Sequence, residues 1–278
     1  MNEVVEIARG PAPLIVSIPH TGTEIPPEIE AGLVSPWLAR KDTDWRIEKL
    51  YDFAAEFDAT IVRALTSRTV IDVNRDPSGK SLYPGQATTG LCPTETFDGE
   101  PLYRAGREPD PQEVASRRSR FFEPYHTALV GEVARLRQSH ANIVVYDCHS
   151  IRSVVPRLFE GELPHVNIGT DDGASCDRTL QHSIEAIWAG SPFSWVANRR
   201  FKGGWITRNY GRPDHGMHAV QIELACRAYL DESIPAVDVG NWPPPYDAER
   251  AAEMRETLKA VFKVCLCFAR RAEKPKLS

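Results

Sequence analysis

No apolar run in the sequence approaches the roughly 20 residues that a bilayer-spanning helix needs, so no membrane partner is expected. CxxC pairs are missing as well. The six cysteines, Cys92, Cys148, Cys176, Cys226, Cys265 and Cys267, follow no framework spacing, which points to reduced thiols rather than a disulfide scaffold. A surplus of basic residues is also absent: with a formal net charge of -5 the chain lacks the cationic footprint of a generic nucleic-acid surface, although a local cationic pocket remains compatible with it. Met1-Asn2-Glu3-Val4-Val5-Glu6 puts acids where a secretory signal has a basic region, so a cytoplasmic location is expected. There is no internal repeat, low-complexity tract or dividing linker. One α/β domain over residues 1–278 is preferred to two smaller ones.

What the chain does have is abrupt transitions from apolar runs to polar residues. Ile143-Val144-Val145-Tyr146 ends in Asp147-Cys148-His149-Ser150, which reads as a buried strand delivering polar groups at its C-terminal edge. Leu14-Ile15-Val16-Ser17-Ile18 ends the same way, in Pro19-His20-Thr21-Gly22. Open α/β sheets place their sites at that edge. A third such strand, Ala219-Val220-Gln221-Ile222-Glu223-Leu224, carries an acid in an apolar setting, and a charge there demands a reason.

The intervening pattern predicts a helix from Trp45 to Phe57 with Asp42 and Asp44 at its entrance, then short strands at Thr60–Val62 and Thr69–Val73. Residues 76–111, rich in Pro, Gly, Thr and acids, read as a long loop, the kind that forms a lid or binding surface. Val114, Phe121, Phe122, Tyr125, Leu129, Val133 and Leu136 recur at helical spacing and lead into the strand at Ile143, a crossover onto a mainly parallel sheet. Further on come a strand at Val166–Gly169, a helix at Cys176–Trp188, a strand at Ser194–Ala197 and a glycine-bearing turn at Phe201–Arg208. A proline-rich loop from Asp231 to Tyr246, a terminal helix from Ala248 to Arg271 and a frayed tail at 273–278 complete the prediction.

A catalytic zinc takes three protein ligands from His and Asp or Glu and keeps one position open. His20 and His149 are the natural pair. Asp44 is the first choice for the third, with Asp42 and Glu24 as competitors, and the alternative for either aspartate is helix capping. Asp147 faces the same side of an ideal strand as His149 and is suited to orient an imidazole, whereas Cys148 faces the other side as a small buried thiol. Glu223 is a candidate general base, weighed equally against a buried salt bridge with Arg227. Arg75 after Asn74 suits a substrate carboxylate, and Arg68, Arg208 and Arg212 are further cationic candidates.

Taken in order, Ser17-Ile18-Pro19-His20-Thr21-Gly22, Asp42-Thr43-Asp44-Trp45, Ile71-Asp72-Val73-Asn74-Arg75-Asp76-Pro77, Ser81-Leu82-Tyr83-Pro84-Gly85-Gln86, Asp147-Cys148-His149-Ser150-Ile151-Arg152, Phe201-Lys202-Gly203-Gly204-Trp205-Ile206-Thr207 and Gln221-Ile222-Glu223-Leu224 resemble the N-formylglutamate amidohydrolases. These enzymes are also called N-formylglutamate deformylases, and they act in bacterial histidine degradation. The resemblance spans nearly the whole chain. It implies a mixed, mainly parallel sheet with helices on both faces, similar to zinc carboxypeptidases and aspartoacylase (phosphorylase/hydrolase-like). It further implies hydrolysis of N-formyl-L-glutamate, a small dicarboxylate, to formate and L-glutamate as the last step of a histidine degradation route.

One zinc, or another divalent cation, is implied at His20 and His149 with Asp44. Arg68 would polarise the carbonyl, Asn74 and Arg75 would hold one substrate carboxylate, Arg208 or Arg212 the other, and Glu223 would serve as base. One departure stands out: the wider group places its acidic ligand three residues after the first histidine, where this chain has Thr23. A broader zinc-dependent N-acyl amino acid deacylase or carboxypeptidase-like amidohydrolase is the alternative, since a pocket for formyl differs from one for acetyl by a methyl group's space.

Overall fold

A computed structural model describes residues 3–232 and 236–271; the predicted tail and part of the predicted 231–246 loop fall outside them. The strands are β1 (Val5–Ala8), β2 (Leu14–Ile18), β3 (Thr60–Ala64), β4 (Ile143–Ile151), β5 (Val166–Gly169), β6 (Trp195–Ala197) and β7 (Met217–Ala225), joined in one sheet of order β1-β3-β2-β4-β7-β5-β6. From β3 through β2 and β4 to β7 every neighbour runs parallel, while β1 and β5 join antiparallel at the two sides. The sheet is therefore mixed and mainly parallel.

Side-chain alternation explains why the central strands are continuous apolar runs. Leu14, Val16, Ile18, Val144, Tyr146 and Cys148 enter one core, against helices α2 (Ile47–Leu50), α5 (Arg178–Ala189) and α7 (Ala248–Ala269). Ile15, Val62, Ile143, Val145 and Ala219 enter the other, where α4 (Glu123–Arg137) and α6 (Trp205–Tyr210) lie. Both faces are covered, so the central strands are mostly apolar before the carboxyl edge, with His218 near the start of β7 as an exception.

Helix α3 (Pro111–Arg117) starts with Asp110 accepting the Glu113 amide at 2.8 Å and Pro111 in its first turn, a favourable start because that position needs no donor. It runs through a π-helical turn, Arg118–Phe122, into α4. Pro124 lies just beyond that turn and has no N–H to return, which accounts for the break in the α-helical ladder. The chain then enters β4 parallel to β2, so the helix is the crossover its periodicity implied.

Three predicted elements differ, one of them the turn expected at Phe201–Arg208, whose second half is the start of α6. The helix expected from Trp45 to Phe57 is broken into α2 and a 3₁₀ segment, Asp52–Phe57, with Arg46 at φ 67° before it and Asp58 at φ 54° after it. Left-handed residues at both ends confine a pattern that would otherwise support a longer helix. The strand expected at Thr69–Val73 is instead a set of turns: the Val70 amide donates to the Ser67 carbonyl, Thr69 Oγ1 to the Ala39 carbonyl at 2.7 Å, and the Asp72 amide to the Leu91 carbonyl at 2.7 Å. These bonds outweigh the β-branched propensity of the segment. Among the described residues no helix is long and apolar enough to cross a membrane.

Candidate active site

His20 follows β2, and His149 lies near the carboxyl end of β4, two strands paired side by side. Asp44 reaches them from the segment before α2, where its backbone N–H donates to the His20 carbonyl at 3.0 Å and so ties the two segments together. His149 Nδ1 lies 3.1 Å from His20 Nδ1 and 3.3 Å from Asp44 Oδ2, and His20 Nδ1 lies 3.6 Å from the same oxygen. All three side chains are buried.

Each imidazole turns its other nitrogen to a second carboxylate: His20 Nε2 is 2.7 Å from Asp72 Oδ1, and His149 Nε2 is 2.9 Å from Asp147 Oδ2. Ionised carboxylates only accept, which favours the hydrogen on Nε2 in both rings and leaves Nδ1 as the free lone pair of the neutral form. At His149 the shorter contact to Asp147 outweighs the Asn74 amide nitrogen, 3.0 Å from the same atom. Two lone pairs and a carboxylate oxygen thus converge on one point. Tetrahedral zinc with bonds of about 2.0–2.2 Å separates its ligands by roughly 3.3–3.6 Å, close to the three distances observed, and the outer carboxylates match the usual support of metal-bound histidines. His20, Asp44 and His149 can therefore hold a divalent metal.

The electrostatics favour a cation at this point. Burial works against a charged His149 imidazole, but the charge and hydrogen bond of Asp147, with Asp44 and Glu223, outweigh it and raise its proton affinity well above the ordinary value. Burial likewise disfavours ionised Asp44, yet His20, His149 and Arg68 hold its carboxyl below the usual range. Surroundings that stabilise a proton on His149 also stabilise a metal ion.

Asp42 and Glu24 point elsewhere. Asp42 Oδ2 accepts the Phe97 amide at 2.6 Å and its other oxygen faces Arg152 at 3.4 Å, whereas Glu24 is exposed. Helix capping does not account for the aspartates either, since Arg46 occupies the N-cap of α2 without a side-chain cap. Thr23 thus stands where an acid would be expected, and Asp44 supplies the carboxylate from a different segment.

Glu223 sits across from His149 in the β4–β7 register. Burial raises its carboxyl to about 7, with Asp44 reinforcing the effect and His149, Arg68 and His20 opposing it. The alternative partner, Arg227, lies 3.6 Å from Glu162 instead. Gln221 Nε2 donates to Glu223 Oε2 at 3.2 Å while its Oε1 accepts the Gly204 amide at 2.8 Å, which fixes the carboxylate against the glycine turn. Glycine is needed there, because a Cβ at 204 would lie 2.4 Å from Asn74 Nδ2.

Arg68 is buried between Asp44 Oδ1 at 3.3 Å and Asp72 Oδ2 at 2.8 Å, with its guanidinium over the Phe97 ring. A narrow cavity of about 60 Å³ is lined by His20, His149, Glu223, Arg68, Arg75 and Arg200. A wider cleft of about 730 Å³, lined by Lys41, Arg152, Arg227 and Trp242 among others, has no histidine in its walls.

The family model for N-formylglutamate amidohydrolase matches residues 12–230. The chain belongs to the N-formylglutamate amidohydrolase family. It is 44% identical over 271 residues to N-formylglutamate deformylase of Pseudomonas aeruginosa, spanning 97% of this chain and 98% of the relative. A Pseudomonas putida protein of the same name is 44% identical over 236 residues, covering 84% of this chain and 88% of the relative. The crystal structure of N-formylglutamate amidohydrolase from Ralstonia eutropha JMP134 shares the fold at TM-score 0.77 and 23% identity, over 96% of this chain and 98% of that one.

Within this family member, not every residue singled out from sequence reaches the cavity. Arg75 lines it, held by the Thr89 carbonyl at 3.1 Å and Thr89 Oγ1 at 3.0 Å. Asn74 also lines it, but its amide oxygen accepts the Ile206 N–H at 2.8 Å and its nitrogen lies 3.3 Å from Asp147 Oδ2, so the side chain braces the site more than it offers itself to a ligand. Arg208 pairs with Asp171 at 2.7 Å, and Arg212 donates to the carbonyls of Arg208 and Gly211. Neither is in the cavity wall.

Arg200, Asp72 and Gln221 are the residues that sequence reasoning missed. Asp72 carried the same signal as Glu223, an acid in an apolar run, but was absorbed into the strand expected at Thr69–Val73. Arg200 carried no signal of its own.

Proposed function

We propose that the protein hydrolyses N-formyl-L-glutamate to formate and L-glutamate with one divalent metal, zinc first among them, held by His20, Asp44 and His149. The observation that carries this reading is the convergence of the two Nδ1 atoms and Asp44 Oδ2 beside a buried Glu223, in a chain 44% identical to proteins called N-formylglutamate deformylase. A cation bound there supplies Lewis acidity, lowering the pKa of water toward ~7 and polarising the formyl oxygen.

Glu223 takes the proton from water as its oxygen attacks the formyl carbon, a role suited to a carboxyl titrating at about 7. Arg68 faces the negative charge that develops on the formyl oxygen, and the short separation from Asp44 and Asp72 keeps its guanidinium in place. The carbon–nitrogen bond breaks as Glu223 returns the proton to the departing glutamate nitrogen. Arg75, braced by Thr89, holds one substrate carboxylate with Asn74 positioning the segment. Within a cell this reaction would be the last step of a histidine degradation route.

Formate release from N-formylglutamate, measured with and without a chelator, tests the reading. Turnover that disappears on chelation and returns with zinc supports it, and turnover that ignores the chelator sinks the metal mechanism. Faster hydrolysis of N-acetylglutamate than of the formyl compound would instead favour a broader N-acyl amino acid deacylase.

A further inference from the structure

A dicarboxylate substrate has two anionic ends, and Arg75 accounts for one. We infer that Arg200 binds the second, side-chain carboxylate and thereby selects acidic over neutral N-acyl amino acids. The inference rests on the proposed function for the identity of the substrate, but its geometry stands apart from it.

Arg200 is half-buried in the segment between β6 and the glycine turn, in the wall of the cavity that also holds His20, His149 and Glu223. Its Nε donates to the Leu158 carbonyl at 2.7 Å and its Nη2 to the Ala87 carbonyl at 2.8 Å, while the guanidinium lies over the rings of Phe201 and Tyr83 at 5.1 and 5.8 Å. Carbonyls and ring faces orient the fork without cancelling its charge. Among the described residues no carboxylate pairs with Arg200, and its Nη1 has no protein acceptor.

The neighbouring arginines are in a different state. Arg68 is neutralised by Asp44 and Asp72, Arg208 by Asp171, and Arg75 shares Asp72 at 3.6 Å. Burial lowers the proton affinity of Arg200, Tyr83 and the Glu223 carboxyl partly offset this, and the positive charge of Arg75 adds a smaller effect in the lowering direction. An anion between them relieves both effects.

The two arginines divide the substrate by position. Arg75 adjoins Asp72, which holds His20, so it lies toward the metal-binding residues and suits the α-carboxylate, two bonds from the scissile nitrogen. Arg200 is anchored to two other segments, through the carbonyls of Leu158 and the exposed Ala87, and makes no bond to Asp72 or to the histidines, which suits it to the carboxylate at the far end of the side chain.

The test is calorimetric titration of the zinc-loaded protein with glutarate and with butyrate, for wild type, Arg200→Gln and Arg200→Lys, beside turnover of N-formylglutamate and N-formylglutamine. Wild type should prefer glutarate by roughly 10- to 100-fold, the range for a charged hydrogen-bonded pair. Arg200→Gln should reduce that preference to less than about threefold, and Arg200→Lys should restore part of it. Turnover of N-formylglutamate by Arg200→Gln should fall mainly through KM, and far more than turnover of N-formylglutamine.

A glutarate preference retained in Arg200→Gln, or equal weakening of both ligands, overturns the inference. A wild type that binds glutarate through Arg200 but releases no formate would leave the inference standing and sink the proposed function.

Discussion

His20 and His149 direct their Nδ1 atoms at each other across 3.1 Å, while each hands its Nε2 to a different carboxylate, Asp72 or Asp147. Two neutral imidazoles in that arrangement repel unless something positive lies between them. Asp44 Oδ2, at 3.3 Å from one and 3.6 Å from the other, completes a set of acceptors rather than relieving it. A shared cation would account for the separation, and a proton could take its place when no metal is bound.

Purified protein should accordingly contain about one equivalent of divalent metal, as the one such three-residue set among the described residues allows. His149→Ala removes one of the lone pairs and should weaken metal binding by more than the ~100-fold typical of losing an outer partner. Elemental analysis after dialysis reads this directly. A variant that retains a full equivalent would show that His149 is not a ligand.

Asp72→Asn probes the outer partner. It leaves the lone pairs intact but replaces the acceptor that orients His20 and the counter-charge that holds Arg68 at 2.8 Å. Metal affinity should fall by about 10- to 100-fold, a smaller loss than for His149→Ala. Competition against a chromophoric chelator measures the ratio, and an unchanged affinity would mean that Asp72 serves Arg68 alone.

Much of this arrangement was legible because the strands that carry it are buried on both faces. In such strands every polar residue is an exception, so His149, Asp147 and Glu223 stand out against Val144, Tyr146 and Ile222 without any knowledge of the structure. Asp44 was harder: it lies on a loop, where acids are common, and its backbone bond to the His20 carbonyl, with the bonds its carboxylate accepts from the Ser150 amide and Arg68, carries it to the site. Arg200 was not legible at all, since its place depends on carbonyls of two distant loops that leave no pattern in sequence. The strand expected at Thr69–Val73 failed for a related reason, because bonds to Ala39 and Leu91 decide its shape.

The two aspartates of Asp42-Thr43-Asp44 should separate cleanly on mutation. Asp44→Asn removes the anionic ligand and should abolish stoichiometric metal binding. Asp42→Asn should keep the metal and instead lower stability by about 1–3 kcal/mol, through the Phe97 amide at 2.6 Å and Arg152, which would lose a charged acceptor. Metal content after dialysis, measured on both, separates the two variants if the assignment holds. Loss of metal from Asp42→Asn with Asp44→Asn unaffected would reverse it.

Glu223 makes a prediction in pH. Burial lifts its carboxyl from 4.5 to about 7, and a nearby cation favours the carboxylate form, so the acid limb of kcat/KM should fall between those values, with activity lost as pH drops through it. Glu223→Gln should keep the metal, lose that limb and lower kcat by ~10²–10⁴-fold. Stability of the metal-free protein runs the other way. A raised folded-state pKa means that the native carboxyl keeps its proton between 4.5 and about 7 while the unfolded one has lost it, so stability declines as pH rises across that window and levels off above it. In chelator, Glu223→Gln should therefore match wild type below pH 4.5 and exceed it above about 7. That gain is on the order of a few kcal/mol at most. Denaturant titrations at pH 4 and pH 8 measure the difference, and a variant less stable than wild type at the higher pH would show that the buried carboxylate is satisfied by its neighbours and not strained by them.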